Sequence, residues 1–107
     1  MAEVRDKIYT YIGFAIRSGK IRIGVNAIQT LKGNVPLLLL CNTASNNTVK
    51  DAQKLAKKFN SKIVLSKVDK LEDIFYKENC KVVAILDQSL ATAILDNLNE
   101  KFAQFGG

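Results

Sequence analysis

The spacing of apolar residues changes several times along this chain, and each change marks a new structural element. Residues 4–17 carry apolar side chains at every third or fourth position, which is typical of an amphipathic helix, and Gly19 follows where a left-handed residue can end it. Residues 21–23 alternate apolar and basic, which predicts a short edge strand. Residues 25–32 return to helical spacing and stop at Gly33. The first third of the chain therefore predicts helix, strand and helix.

Continuous apolar runs follow, and they predict buried strands. Residues 35–41 are apolar throughout, and Pro36 is confined to the start of the run, as expected of a central strand covered on both faces. Residues 62–66 and 81–86 have the same character. The sequence thus predicts three buried strands besides the short edge strand.

Three more helices are expected around these strands. A polar connector rich in capping residues leads into a helix that buries apolar residues between 49 and 59, and a short helix spans 70–76. Asp87 or Ser89 caps the last helix, and its apolar stripe continues at helical spacing to Phe102. We expect the tail at 103–107 to fray.

Strands separated by helices predict an α/β fold with helices on both faces of a sheet. The expected architecture is a three-layer α/β/α sandwich around a mixed, mostly parallel four-stranded sheet. A length of 107 residues, 48% of them hydrophobic, is enough for one domain over residues 1–107 with a single core.

The charge of the chain bears on its partners. Sixteen Lys and Arg face ten Asp and Glu, and the net charge of +6 favours a polyanion, foremost nucleic acid. The lysines between 50 and 58 have the pattern of a solvated helix face. Charges interrupt the N-terminus, and the longest apolar run, 35–41, is too short to cross a bilayer. We expect a soluble, cytoplasmic protein with no membrane partner.

Candidate catalytic and metal-binding chemistry is sparse. The chain has no His, and Cys41 and Cys80 cannot supply the four ligands of a structural zinc site, so we expect buried, reduced thiols and no metal. Residues 13–21 resemble a phosphate-binding loop, but five residues rather than four separate their glycines, and Ile21 replaces the magnesium-binding Ser or Thr. The acidic cluster at 69–73 suits the start of a short helix. These features predict neither a cofactor nor enzyme activity.

The turn at residues 18–26 is the strongest candidate for binding an anion. It brings Lys20 and Arg22 beside the start of a helix, where unpaired N–H groups and the helix dipole attract negative charge. A plain turn between two helices, with solvated charges, explains the same residues, and on the turn alone it is the favoured interpretation.

Three segments together resemble a known family. Residues 12–20, 42–48 and 77–85 look like the bacterial YlxQ-type branch of the ribosomal protein L-seven-Ae/L-thirty-e family, and the similarity spans about residues 9–98. The resemblance implies an L-thirty-e-like α/β/α sandwich. It also implies a non-enzymatic ribosomal-protein-like function, the binding of structured RNA, ribosomal or other non-coding, often at a kink-turn.

The resemblance also implies which residues meet RNA. Gly24-Val25-Asn26 matches the opening of the family's RNA-reading helix, and a second RNA-facing loop corresponds to residues 77–80. We assign RNA binding to Lys20, Arg22, Gly24, Val25, Asn26, Thr30, Lys77, Glu78 and Asn79.

Two departures from the family pattern leave an alternative function open. Ala27 stands where Glu or Gln is expected, and Thr30 stands where Lys is expected. In the family these side chains read the sheared G·A pairs of the kink-turn, so their loss removes base contacts and leaves phosphate contacts possible. The alternative is a protein–protein interaction module, binding the ribosome or other proteins, that retains the fold but has lost kink-turn specificity.

Overall fold

Five helices and five strands make up residues 7–106, the part of the chain that the computed structural model describes. Residues 4–6 of the first predicted helix and the last residue of the predicted tail lie outside it. The longest helix has 14 residues, and none of the described helices is long and apolar enough to span a membrane. In chain order the elements are α1 (Lys7–Arg17), β1 (Ile21–Ile23), α2 (Val25–Gln29), β2 (Leu37–Cys41), α3 (Asn46–Phe59), β3 (Lys62–Ser66), α4 (Leu71–Phe75), β4 (Val82–Ile85), α5 (Gln88–Asp96) and β5 (Phe102–Phe105).

The strands form one mixed sheet in the order β1-β4-β2-β3-β5. Only β2 and β3 pair in parallel, and the other three pairings are antiparallel. The predicted α/β class is confirmed, but the prediction of four strands in a mostly parallel sheet is wrong. The reason is the length of α4: five helical residues cover roughly 7.5 Å, whereas a five-residue strand covers about 17 Å. Helix α4 is too short to carry the chain back along β3. Strand β4 therefore starts at the end of the sheet where β3 finishes, and it runs antiparallel to its neighbour β2.

Helices cover both faces of the sheet. Leu37, Leu39 and Cys41 of β2 pack into a core shared with α1, α4 and α5. Leu38 and Leu40 pack into a second core, shared with α2 and α3. All five residues of β2 are buried, which confirms the central strand predicted from the continuous apolar run.

The C-terminal segment forms a fifth strand. Residues 102–105 pair with β3, and Phe102 is fully buried, so neither a helix reaching Phe102 nor fraying at 103–105 is observed. Two asparagines explain the change. The Asn97 side chain donates to the Ala93 carbonyl at 2.7 Å as α5 ends, and the Asn99 carboxamide oxygen accepts the N–H of Phe102 at 3.2 Å. These local bonds compete with helix continuation.

Two predicted helix ends are confirmed, at Gly19 and Asp87, and a third helix begins inside the predicted polar connector at 42–48. Gly19 has φ of 70° and ends α1, and the Lys20 N–H donates to the Ala15 carbonyl at 2.9 Å, which satisfies a terminal carbonyl of the helix. The Ser45 hydroxyl accepts the Thr48 N–H at the start of α3. Asp87, the first of the two predicted caps, accepts the Leu90 N–H at 3.0 Å at the start of α5.

Candidate functional site

One end of the sheet gathers most of the candidate residues. We call the end at which β1, β2 and β3 finish and β4 and β5 begin the top of the sheet. Three connections between strands and helices lie there, at residues 42–45, 67–70 and 76–81. Gly24 and the first two residues of α2 lie at the same end. Because α2, α3 and α4 all begin at this end, it also collects the positive ends of their dipoles.

The start of α2 is fixed to the start of β4. The Gly24 N–H donates to the Val82 carbonyl at 2.9 Å, directly beyond the Ile23–Val83 pair of the sheet. Gly24 has φ of 94°, which favours glycine, and no atom would lie within 4 Å of a Cβ added there. The surface around Gly24 is therefore open. Val25 is half-buried against the α2–α3 core, and Asn26 is exposed beside it.

The loop before β4 has two residues in the left-handed conformation, Tyr76 with φ of 55° and Asn79 with φ of 58°. Asn accepts this conformation more readily than an aromatic residue does. Lys77, Glu78 and Asn79 are all exposed. The predicted second loop is thus a solvent-facing turn at the same end of the sheet as Gly24.

Glu72 holds this loop in place. Its carboxylate forms an ion pair with the Lys81 ammonium at 3.1 Å and accepts the Asn79 N–H at 3.2 Å. The Lys81 ammonium also donates to the Thr43 hydroxyl at 2.8 Å, which joins the loop to the end of β2. The hydrogen bond from Lys81, helped by its charge and by the Asn79 N–H, keeps the pKa of Glu72 below its ordinary value, although partial desolvation opposes the shift.

The structure brings some predicted site residues together and separates others. Gly24, Val25 and Asn26 share the top of the sheet with Lys77, Glu78 and Asn79. Lys20 lies at the opposite end of β1, where its carbonyl accepts the Leu86 N–H at 2.9 Å. Four residues of extended chain, roughly 13 Å, separate the backbones of Lys20 and Gly24.

Arg22 and Thr30 lie beside this surface but already have local partners. The Arg22 guanidinium donates to the Ile21 carbonyl at 2.9 Å, and Arg22 is exposed in the middle of β1. Thr30 follows α2, which is three residues shorter than predicted, and its hydroxyl donates to the Ala27 carbonyl at 2.8 Å. The proton of Thr30 is therefore used within the helix end.

Sequence reasoning missed two residues of this surface. The sequence places Tyr76 at the end of the short helix, but its side chain is 91% exposed, more than those of Phe14, Ile16 and Val68. Glu72 had been explained by the helix dipole alone, whereas it also anchors the loop. An aromatic residue beside Lys77 was the available signal for Tyr76, but no local signal could pair Glu72 with Lys81, nine residues away.

Both cysteines are buried beneath this end of the sheet as free thiols, as expected. Burial, with a contribution from neighbouring Cys41, raises the pKa of Cys80 to about 11. The Cys80 thiol is therefore protonated at neutral pH, where it packs as a small apolar side chain.

Comparison with known proteins finds a structure with a similar fold but gives no information on function. No protein-family model and no curated protein matches the chain. The structure of a protein of unknown function from Bacillus halodurans is similar, with a TM-score of 0.69 and 20% sequence identity, over 86% of this chain and 96% of that chain. At that identity the likeness shows a shared fold.

Proposed function

We propose that this chain is a non-enzymatic RNA-binding protein that recognises bent or internal-loop RNA, such as a kink-turn, at the top of the sheet. The observation that carries the proposal is the hydrogen bond from the Gly24 N–H to the Val82 carbonyl. It sets the start of α2 beside the start of β4, at the same end of the sheet as the 76–79 loop that precedes β4. The proposed fold family is the L-thirty-e-like sandwich named above.

The chemistry of this surface suits a folded RNA. Gly24 presents bare backbone in open space, which permits close approach of a phosphate group, and Lys77 supplies a positive charge nearby. Asn26 and Asn79 are exposed amides that can both donate and accept at a base edge. Tyr76 offers an exposed aromatic face on which an unpaired base can stack.

The same surface supports weak base readout. Ala27 has no polar side chain, and the Thr30 hydroxyl donates its proton to Ala27's own carbonyl. Neither can donate to a base as the family's residues do at these positions. We therefore propose recognition that rests mainly on the shape and backbone of the RNA and on stacking, with Asn26 as the principal base-reading side chain.

The test is a salt titration of binding to a kink-turn RNA and to a straight duplex of equal length. We expect preference for the bent RNA. In the variant Lys77→Ala, affinity should fall about five- to tenfold and the slope of log K against log salt should fall by roughly 1. Lys62→Ala, which removes an exposed lysine at the opposite end of β3, is the matched control and should leave both quantities unchanged.

The remaining outcomes separate the alternatives. Equal, salt-sensitive binding to both RNAs would indicate a general RNA binder and contradict recognition of a bend. Absence of binding to either RNA would contradict the proposal and favour the protein-interaction module, which the apolar Ala27 and the occupied Thr30 hydroxyl already suit.

A further inference from the structure

The outward face of α3 carries a row of lysines that the surface at the top of the sheet does not use. Lys50, Lys54, Lys57 and Lys58 are spaced at four, three and one residues, which places them on one side of the helix. All four are exposed, while Ala52 and Leu55 on the other side are buried. We call these four residues the lysine row.

The fold does not account for the lysine row. Lys57 and Lys58 lie in the last turn, where the helix dipole favours a cation, but Lys50 and Lys54 do not, and the first turn has no acidic residue. Among residues 7–106 the structure shows one ion pair, Lys81 with Glu72, so no lysine of the row lies within ion-pair distance of a carboxylate, and Asp51 is the one acidic residue of α3. Like charges three and four residues apart oppose helix formation. The row is therefore unfavourable for the free protein and suited to a polyanion.

The lysine row starts close to the top of the sheet, where the proposed RNA surface lies. Helix α3 begins at the top of the sheet, and Lys50 lies about 6 Å along the helix from its first residue. From Lys50 the row runs roughly 12 Å down the molecule. At its far end the Lys58 ammonium donates to the Gln29 carbonyl at 2.7 Å, which joins α3 to α2. An RNA helix that extends from the top of the sheet along the outward face of α3 would pass beside the lysine row.

We infer that the lysine row is a second binding site, for the phosphate backbone of the double-stranded stem that flanks the bent RNA. A duplex presents a phosphate about every 3.4 Å of each strand along its axis, so a 12 Å row faces several at once. This inference rests on the proposed function, because the stem belongs to the RNA bound at the top of the sheet. The row carries charge without base readout, so it adds affinity and no sequence preference.

The test compares two RNAs and three proteins. One RNA is a kink-turn with minimal stems, and the other has one stem extended by a helical turn. The proteins are the natural chain, the variant Lys54→Gln/Lys57→Gln, and the control Lys7→Gln/Arg17→Gln, which removes the same charge from α1 on the opposite face. Lys58 is left in place because of its bond to Gln29.

We expect the natural chain to bind the extended RNA more tightly and with a steeper salt dependence than the minimal RNA. For the extended RNA, the α3 variant should lose about tenfold or more in affinity at low salt, and its salt slope should fall by roughly 2. Its affinity for the minimal RNA should match that of the control. Thermal unfolding should show an equal or higher midpoint for the α3 variant, because the substitutions relieve like-charge repulsion.

Each other result decides against one proposal or both. If the α3 variant and the control bind the extended RNA equally, the inference of a second RNA site is overturned, while the proposed function is unaffected. An acidic protein surface would then be the favoured partner of the lysine row. If, in the salt titration under Proposed function, the natural chain binds the kink-turn RNA no more tightly than the straight duplex, both proposals are overturned.

Discussion

The two helix layers of this protein meet the same folding requirement with opposite surface charge. Helices α2 and α3 carry four lysines and one aspartate, whereas α1, α4 and α5 carry one lysine, one arginine and three acidic residues. Both layers bury apolar stripes against the sheet. Because the apolar stripes pack each layer against the sheet, the outward polar faces can differ, and the proposed RNA binding on the α2–α3 side rests partly on this difference in charge.

The layers also differ in how much core they enclose. The core under α1, α4 and α5 includes the buried rings of Phe75 and Phe102, together with three apolar residues of α1. The core under α2 and α3 has fewer buried residues and no fully buried aromatic ring. We therefore expect stability to depend most on the first layer, and RNA binding to depend on the second layer together with the 76–79 loop at the top of the sheet.

The largest effect expected is on stability. Phe102 is fully buried and meets Tyr9 edge to face, with ring centroids 5.3 Å apart. Phe102→Ala should lower the free energy of unfolding by about 3–5 kcal/mol, measured by urea denaturation. The RNA affinity of the fraction that stays folded should not change. A variant of normal stability with weakened RNA binding would break the division between the two layers.

The next largest effect is on binding. Tyr76→Ala should weaken binding of a kink-turn RNA by about 1–3 kcal/mol, measured by isothermal titration calorimetry, because it removes a stacking surface. Phe14→Ala is the matched control, since Phe14 is an aromatic residue 47% exposed near the end of α1, which finishes at the end of the sheet opposite to the top. Equal losses in the two variants would show that any exposed aromatic side chain acts alike and would remove Tyr76 from the site.

The same residue gives a smaller, opposite effect on stability. Tyr76 has φ of 55°, which strains the backbone of a non-glycine residue, and its ring is exposed. Packing of the side chain therefore offsets little of that strain. Tyr76→Gly should raise the free energy of unfolding by up to about 1 kcal/mol. Asn79→Gly, at φ of 58°, should gain less, because Asn tolerates this conformation. A loss of stability in Tyr76→Gly would contradict a strained, functional tyrosine.

The smallest effect expected is a dependence on pH. The pKa of Glu72 is lowered by Lys81, so the contact stabilises the fold above the ordinary Glu value of 4.5, and that stability is lost as pH falls through the lowered pKa. Glu72→Gln should therefore be less stable than the natural chain at neutral pH and should approach it in acid. Glu78→Gln controls for the change in net charge. A constant difference across the acid range would contradict the ion pair as the cause.

The sequence predicted the parts of the fold that depend on local patterns. The apolar run before Asn42 predicted a buried central strand, and Gly19 and Asp87 marked helix ends through backbone and capping chemistry that acts within a few residues. The direction of β4 was predicted wrongly because it depends on whether α4 is long enough to return along β3. Phe102 was placed in α5 because its spacing from Leu98 continues the helical stripe, while Asn97 and Asn99 ended the helix.

The candidate site was predictable only in part, for a related reason. Residues 24–26 and the 77–79 loop could be named from the resemblance, but their common position depends on the pairing of β1 with β4. Lys20 and Gly24 are neighbours in sequence, yet a strand lies between them and carries them to opposite ends of the sheet. A contact between side chains that are distant in sequence, such as the ion pair of Glu72 with Lys81, cannot be predicted from a local sequence pattern.

The central claim is that RNA binds on the α2–α3 side and at the top of the sheet, away from α1 and α5. Its most direct test is amide chemical-shift mapping of the ¹⁵N-labelled protein titrated with a kink-turn RNA. We predict shifts that cluster at Gly24 to Asn26, in the 76–79 loop and along α3. The amides of α1 and α5 should stay unmoved. Shifts centred on α1 and α5, with α2 and α3 silent, would contradict the account.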